Sequence, residues 1–184
     1  MRLFIALPVP DAVAQRAAGL LPEGLPGLRR AGPELLHVTL AFLGGTPAER
    51  LAEVASATAA AAAGHAGFEI ELARVGRFPP GGRPRVIWLG LAEGAEGVTA
   101  LAASVRAELA RRHLHFDPKP ASPHLTLARL REGTSAAEAR AIAAALDGLT
   151  VPPLRFRADA VHVVESVLSR GGTRYSSRTT VPLR

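Results

Sequence analysis

His37-Val38-Thr39-Leu40 and His124-Leu125-Thr126-Leu127 are one motif, His-x-Thr-Leu, met twice in a single chain. The chain holds six His, ten Thr and 25 Leu in 184 residues. At such frequencies chance supplies about 0.04 copies, so two copies are roughly a one-in-a-thousand event. The spacing has a physical meaning, because residues i and i+2 of a strand share a face. Each copy then presents an imidazole and a hydroxyl side by side. Val38, Leu40 and Phe42, and likewise Leu125 and Leu127, are expected on the opposite face, in a core. Two such strands facing each other make a pocket with two His and two Thr, enough for acid–base chemistry on a phosphate with no metal.

Outward from the motifs, both flanks read alike. Residues 2–8 form an apolar strand, and Val9-Pro10-Asp11 opens a short helix with Val13, Ala17, Leu20 and Leu21 at helical spacing. Pro22 to Pro33 reads as a Gly/Pro/Arg loop, and 36–43 as the first motif strand. Thr46-Pro47-Ala48-Glu49 has the form of a capping box, opening an Ala-rich helix to about Ala63. Residues 68–72 alternate as a strand, Arg74 to Pro84 is turn-rich, and 86–91 is the next strand. An amphipathic helix over 95–112 rests on Val98, Leu101, Val105 and Leu109. The second motif strand, 124–130, is followed by a second capping box, Ser135-Ala136-Ala137-Glu138, and a helix to about Leu146. Strands near 153–158, 160–167 and 174–182 close the chain, the last two joined at the Gly171-Gly172 turn.

The two halves therefore repeat a unit of strand, helix, motif strand, helix and strands. The unit predicts an α+β fold of antiparallel sheets lining a central cleft, with helices packed outside and an approximate two-fold axis relating two lobes. Residues 1–184 are expected to form one two-lobed catalytic domain, with motif copies at 37–40 and 124–127.

Bulk composition bounds the function. The chain is 48% hydrophobic, so it can bury a sizeable core, yet no apolar run reaches membrane-spanning length. Residues 1–8 are too short for a signal peptide and read as a buried strand. Cysteine is absent, which removes disulfides and thiolate metal sites and makes a cytoplasmic setting the expectation. The net charge is +6, and Lys119 is the one Lys among 22 basic residues. Arg suits phosphate because its planar fork grips two oxygens at once; a compositional bias toward Arg gives the same count.

A single His on a strand is usually a satisfied, partly buried residue. A polar pair kept on one face in both copies is not explained as core, since buried polar groups without partners are costly. Phosphodiester hydrolysis needs a base to activate water and an acid to protonate the departing alkoxide. Imidazole, with an ordinary pKa of about 6.5, does either. The Thr hydroxyls can donate to the non-bridging oxygens as charge gathers there. No carboxylate cluster offers ligands for a two-metal mechanism.

The paired motif resembles the two-histidine, or 2H, phosphoesterase superfamily, and within it the RNA 2′,3′-cyclic phosphodiesterases historically named 2′–5′ RNA ligases. The likeness runs through residues 2–7, the extended motif 37–44, the stretch 83–90, the second motif 123–129, and Glu165-Ser166-Val167-Leu168 with Gly172 and Tyr175. It implies two lobes around a water-filled cleft and no cofactor or metal. It implies hydrolysis of an RNA 2′,3′-cyclic phosphate to a 2′-phosphate, and allows weak reversible 2′–5′ ligation. His37 becomes the proton donor and His124 the acceptor, roles that the near-identical motifs do not assign by themselves. Thr39, Thr126 and Arg129 become substrate-binding residues. Strand parity sets Arg129 on the face away from His124 and Thr126, so a bulge or strand end must turn it round.

Other residues are open to two readings. His113-Leu114-His115 has ligand-like spacing without a third ligand. His65 belongs to a helix end and His162 to a strand. Trp88 reads as core. Arg74, Arg77, Arg83 and Arg85 could track an RNA backbone or line a solvated loop. Ser166 and Tyr175 could touch ligand or serve in turns and packing. The expected partner is RNA with a 2′,3′-cyclic phosphate end, or a small cyclic nucleotide, met by a monomer with no membrane attachment. Two further classes remain: the same chemistry on another cyclic phosphate or a 2′–5′ oligonucleotide, and a non-catalytic RNA-binding module.

Overall fold

The computed structural model describes residues 1–119, 122–170 and 172–184. Among them run nine strands and four α-helices. The strands are β1 (Arg2–Pro8), β2 (Leu28–Arg30), β3 (His37–Gly45), β4 (Phe68–Phe78), β5 (Val86–Glu93), β6 (His124–Leu130), β7 (Leu154–Ala158), β8 (Ala160–Ser169) and β9 (Gly172–Pro182). The helices are α1 (Asp11–Ala18), α2 (Leu51–Ala62), α3 (Ala95–Arg111) and α4 (Ala136–Asp147). Gly171, half of the expected turn before β9, lies outside the described residues, as do Pro120 and Ala121 ahead of the second motif.

The strands form one curled antiparallel sheet in the order β7-β4-β5-β6-β3-β1-β8-β9, with β2 set against β6. The order is palindromic when the strands of the two His-x-Thr-Leu units are matched: β3 with β6, β1 with β5, and β8 with β4. The expected pair of sheets is joined along β3 and β6, where Val38 and Leu125 are the registered partners. One strand after each motif crosses over. β4 follows the first motif yet pairs with β5, and β8 follows the second yet pairs with β1.

Alternation decides which face is which. Leu3, Ile5, Leu7, Val38, Leu40, Ile87, Leu89 and Leu125 are almost wholly buried, and they share a core with Val13, Ala17, Val54, Val98, Leu101 and Ile142 of the helices. Helices thus cover one face of the sheet. Phe4, Ala6 and Val164 form a small separate cluster on the other, which is left open.

Four local expectations need correction. The turn-rich reading from Arg74 fails, because β4 continues to Phe78 in register with β5. Its Gly76 is there for space: a Cβ would run into the Trp88 ring. The Pro22–Pro33 loop contains β2, whose three residues pair with Leu130, Arg129 and Ala128. The first capping box does not form, since a 3-10 turn over Ala48–Arg50 precedes α2 with no side-chain cap. Thr46 is instead held to the start of β1, its N–H donating to the Met1 carbonyl at 2.8 Å. The second box does form: Glu138 N–H donates to Ser135 Oγ at 3.2 Å and Ser135 N–H to Glu138 Oε2 at 2.7 Å.

Phe42 is the fourth correction. The β1–β3 ladder pairs Ala6 with Thr39 and Ile5 with Ala41, so Leu40 is bulged. Leu40 and Ala41 both turn into the core, and Phe42 emerges on the open face, 51% exposed. The β5–β6 ladder does the same, pairing Trp88 with Thr126 and Ile87 with Ala128 and leaving Leu127 out. Leu127 and Ala128 are both buried. An extra residue in one strand reverses the parity of everything after it.

Candidate active site

The seam between β3 and β6 opens into a cleft of about 510 Å³ on the uncovered face. His37, Thr39, His124, Thr126 and Arg129 all line it. Val38 and Leu125 oppose each other across the seam. Continued in the antiparallel sense, that register turns His37 toward Thr126 and Thr39 toward His124. Two imidazoles distant in sequence so meet in one cavity, each across from the other copy's hydroxyl. Arg129 joins them because of the Leu127 bulge, and Phe42 reaches the cleft by the matching bulge at Leu40.

Both rings are held by the same device. His37 Nδ1–H donates to the Leu35 carbonyl at 2.8 Å, and His124 Nδ1–H donates to the Ser122 carbonyl at 2.6 Å. A carbonyl only accepts, so Nδ1 carries the hydrogen and the neutral ring keeps Nε2 as its basic nitrogen. The backbone two residues upstream thus fixes the tautomer and the orientation of Nε2.

Aromatic walls back each ring. Phe4 lies 4.6 Å from His37 and Tyr175 sits edge-on to it at 5.3 Å. Phe78 is edge-on to His124 at 5.3 Å, with Trp88 at 6.1 Å. Trp88 is therefore a half-buried support on the cleft face rather than a core residue. The two walls are built differently: Ala6 opposes Thr39 where Trp88 opposes Thr126, and Phe4 opposes Phe42 where Val86 opposes Arg129.

The surroundings disfavour charge on both imidazoles. Burial is the main cause of a lowered pKa at His37, opposed by the Leu35 hydrogen bond and assisted by the nearby His124 and Arg129 charges. Burial also lowers His124, again against its backbone bond and with help from Arg129. An anion between the rings would reverse part of this, since opposite charge favours the imidazolium.

Further residues reach the cleft that the sequence reading did not single out. Arg29 and Arg30 come from β2, and Phe78 comes from the end of β4. Lys119 stands at the rim. Its loop is pinned by Arg106 of α3, which donates to the carbonyls of Asp117, Pro118 and Lys119 at 3.1, 2.7 and 2.7 Å. Tyr175 lines the cleft, whereas Ser166 does not. Arg74, Arg77, Arg83 and Arg85 lie outside it, and Arg77 faces Asp147 at 3.3 Å. His113 and His115 are exposed on either side of the buried Leu114. Among the described residues no three His, Asp or Glu side chains gather as a metal site. None of the described helices is long and apolar enough to cross a membrane.

Known proteins share this architecture over its whole length. A solved protein of Thermus thermophilus superposes with a TM-score of 0.79 at 29% identity, covering 100% of this chain and 98% of its own. Escherichia coli LigT, crystallised with 3′-AMP, superposes with a TM-score of 0.75 at 28% identity over 99% of this chain and 97% of its own. An Archaeoglobus fulgidus protein named RNA 2′,3′-cyclic phosphodiesterase is 37% identical over 133 residues, 71% of this chain and 73% of that one. The family model described as the 2′-5′ RNA ligase superfamily matches residues 9–170. With the doubled motif on the seam of such a sheet, this chain belongs to the 2′-5′ RNA ligase superfamily.

Proposed function

We propose that the protein hydrolyses RNA 2′,3′-cyclic phosphate termini to 2′-phosphates by paired acid–base catalysis. One observation carries the reading: two imidazoles, each locked as the Nδ1–H tautomer by the same backbone bond, face a single cleft with both hydroxyls and Arg129. In this reading His124 Nε2 takes a proton from water as the water oxygen bonds to phosphorus. The bond from phosphorus to the 3′ oxygen breaks, and His37 Nε2 gives that oxygen its proton. Thr39, Thr126 and Arg129 hold the non-bridging oxygens, where charge-assisted hydrogen bonds contribute about 1.5–3 kcal/mol each. The same ring opening, with a 5′-hydroxyl in place of water as the nucleophile, gives a 2′–5′ linkage and is ligation. The name of the Archaeoglobus relative and the nucleotide in the Escherichia coli structure support the substrate class.

The test is an oligonucleotide ending in a 2′,3′-cyclic phosphate, incubated with enzyme and a chelator, with the monoester identified. The expected product is the 2′-phosphate at an undiminished rate. His37→Ala and His124→Ala should each lower turnover at least about 100-fold. A 3′-phosphate product would reverse the leaving oxygen, and near-full activity in either variant would sink the scheme.

A further inference from the structure

In the β2–β6 ladder Arg29 is the direct partner of Arg129. Directly opposed residues of an antiparallel pair project to the same face, and like charges so placed repel. Both side chains are exposed and both line the cleft. Neither takes part in an ion pair among the described residues, and the cleft lining contains no carboxylate. The neighbouring Arg30 is different, since its guanidinium is spent on the carbonyls of Leu21 and Pro22. Two unpaired guanidiniums set side by side in a carboxylate-free cavity suit an anionic ligand.

The two are not equivalent. Arg129 shares β6 with His124 and Thr126 and lines the cleft with both imidazoles, whose pKa values its charge helps to lower. Arg29 comes from a different strand, paired to β6 only at Leu130, Arg129 and Ala128, beyond the Leu127 bulge. It stands level with Arg129 on the neighbouring strand, a second guanidinium across the ladder from the first. The terminal cyclic phosphate, a single negative charge, already meets Arg129 and two Thr. We infer that Arg29 binds a second phosphate, the phosphodiester that joins the terminal nucleotide to the residue on its 5′ side, and so selects polynucleotide ends over cyclic mononucleotides. The inference rests on the proposed RNA-end chemistry for the identity of its ligand and deepens it by assigning the group that recognises chain continuation.

Equilibrium binding separates this from turnover. The probes are a nucleoside 2′-phosphate and the same compound carrying a 5′-methylphosphate diester, which adds one charge and no base. The wild-type protein should prefer the second by about five- to tenfold, and its log Kd against log salt should be steeper by about 0.7. Arg29→Ala should bring the preference within about twofold and remove the extra slope, while Arg29→Lys should retain most of both. Equal affinities and equal slopes in the wild-type protein would overturn the assignment without need of any variant, as would an undiminished preference in a folded Arg29→Ala protein. Absence of turnover on cyclic-phosphate ends with the preference intact would reject the proposed reaction and leave Arg29 as a phosphate site. Turnover without the preference would reject Arg29 alone.

Discussion

A His whose ring is buried and whose neighbours are cationic holds its proton weakly, and both catalytic candidates are in that position. The acid and base of a bell-shaped kcat/KM profile titrate as they do in the free enzyme. Because burial lowers both His37 and His124 from 6.5, the centre of that bell is expected below pH 6.5. Arg129 assists the lowering at both rings, so Arg129→Ala should move the bell toward higher pH while raising KM. A pH series on wild type and variant checks both directions, and an unmoved bell would place the Arg129 charge too far away to matter. Side chains of this kind were legible in the sequence only where alternation held. His37, Thr39, His124 and Thr126 precede the bulges and fall where parity puts them. Phe42 and Arg129 follow the bulges and do not. The signal was present in Leu40-Ala41 and Leu127-Ala128, adjacent apolar pairs that a strictly alternating strand has no use for.

Among the elements, the ones misread are those set by distant partners. β2 is three residues long and exists because β6 offers it a free edge where β3 has splayed away. The far half of β4 carries Gly76 and two Arg, a loop-like composition, yet the glycine is what leaves room for the Trp88 ring, tilted beside Phe78 at 5.0 Å. Gly76→Ala should therefore dislodge the wall behind His124. A loss of about 1–3 kcal/mol, as for other overpacked sites, is expected in denaturant titrations, together with reduced turnover. Elements set by their own sequence were read well. The Ser135 box starts α4 as its pattern requires, and Ser135→Ala should cost about 1 kcal/mol in the same titration. Thr46 has the same local pattern, but its backbone is tied to Met1 on both sides, with the terminal amine donating to the Thr46 carbonyl at 2.8 Å. A tertiary contact there overrides the local signal.

For the molecule as a whole, burial lowers a third imidazole, His162, with Asp159 opposing. All three groups bind a proton more weakly when folded than their ordinary 6.5. Below that value the unfolded chain takes up protons first, so stability should fall as pH drops from about 6.5 toward the folded values, and be fully kept above it. Thermal midpoints measured from pH 7.5 to 5 in one buffer system check this, and a midpoint that rises on acidification would contradict it. His37→Gln should flatten the dependence by removing one of the three groups.

The crossing of β4 and β8 bears on ancestry. Each half of the sheet is completed by a strand that follows the other half's motif, so a polypeptide of one unit alone would have an unfilled edge and a homeless strand. Two such polypeptides satisfy each other by reciprocal exchange, each lending what the other lacks. The present gene would then be a fusion of interlocked twins, its 79–85 connection the stitch that made them one. Severing that stitch should leave the fragments clasped together rather than free.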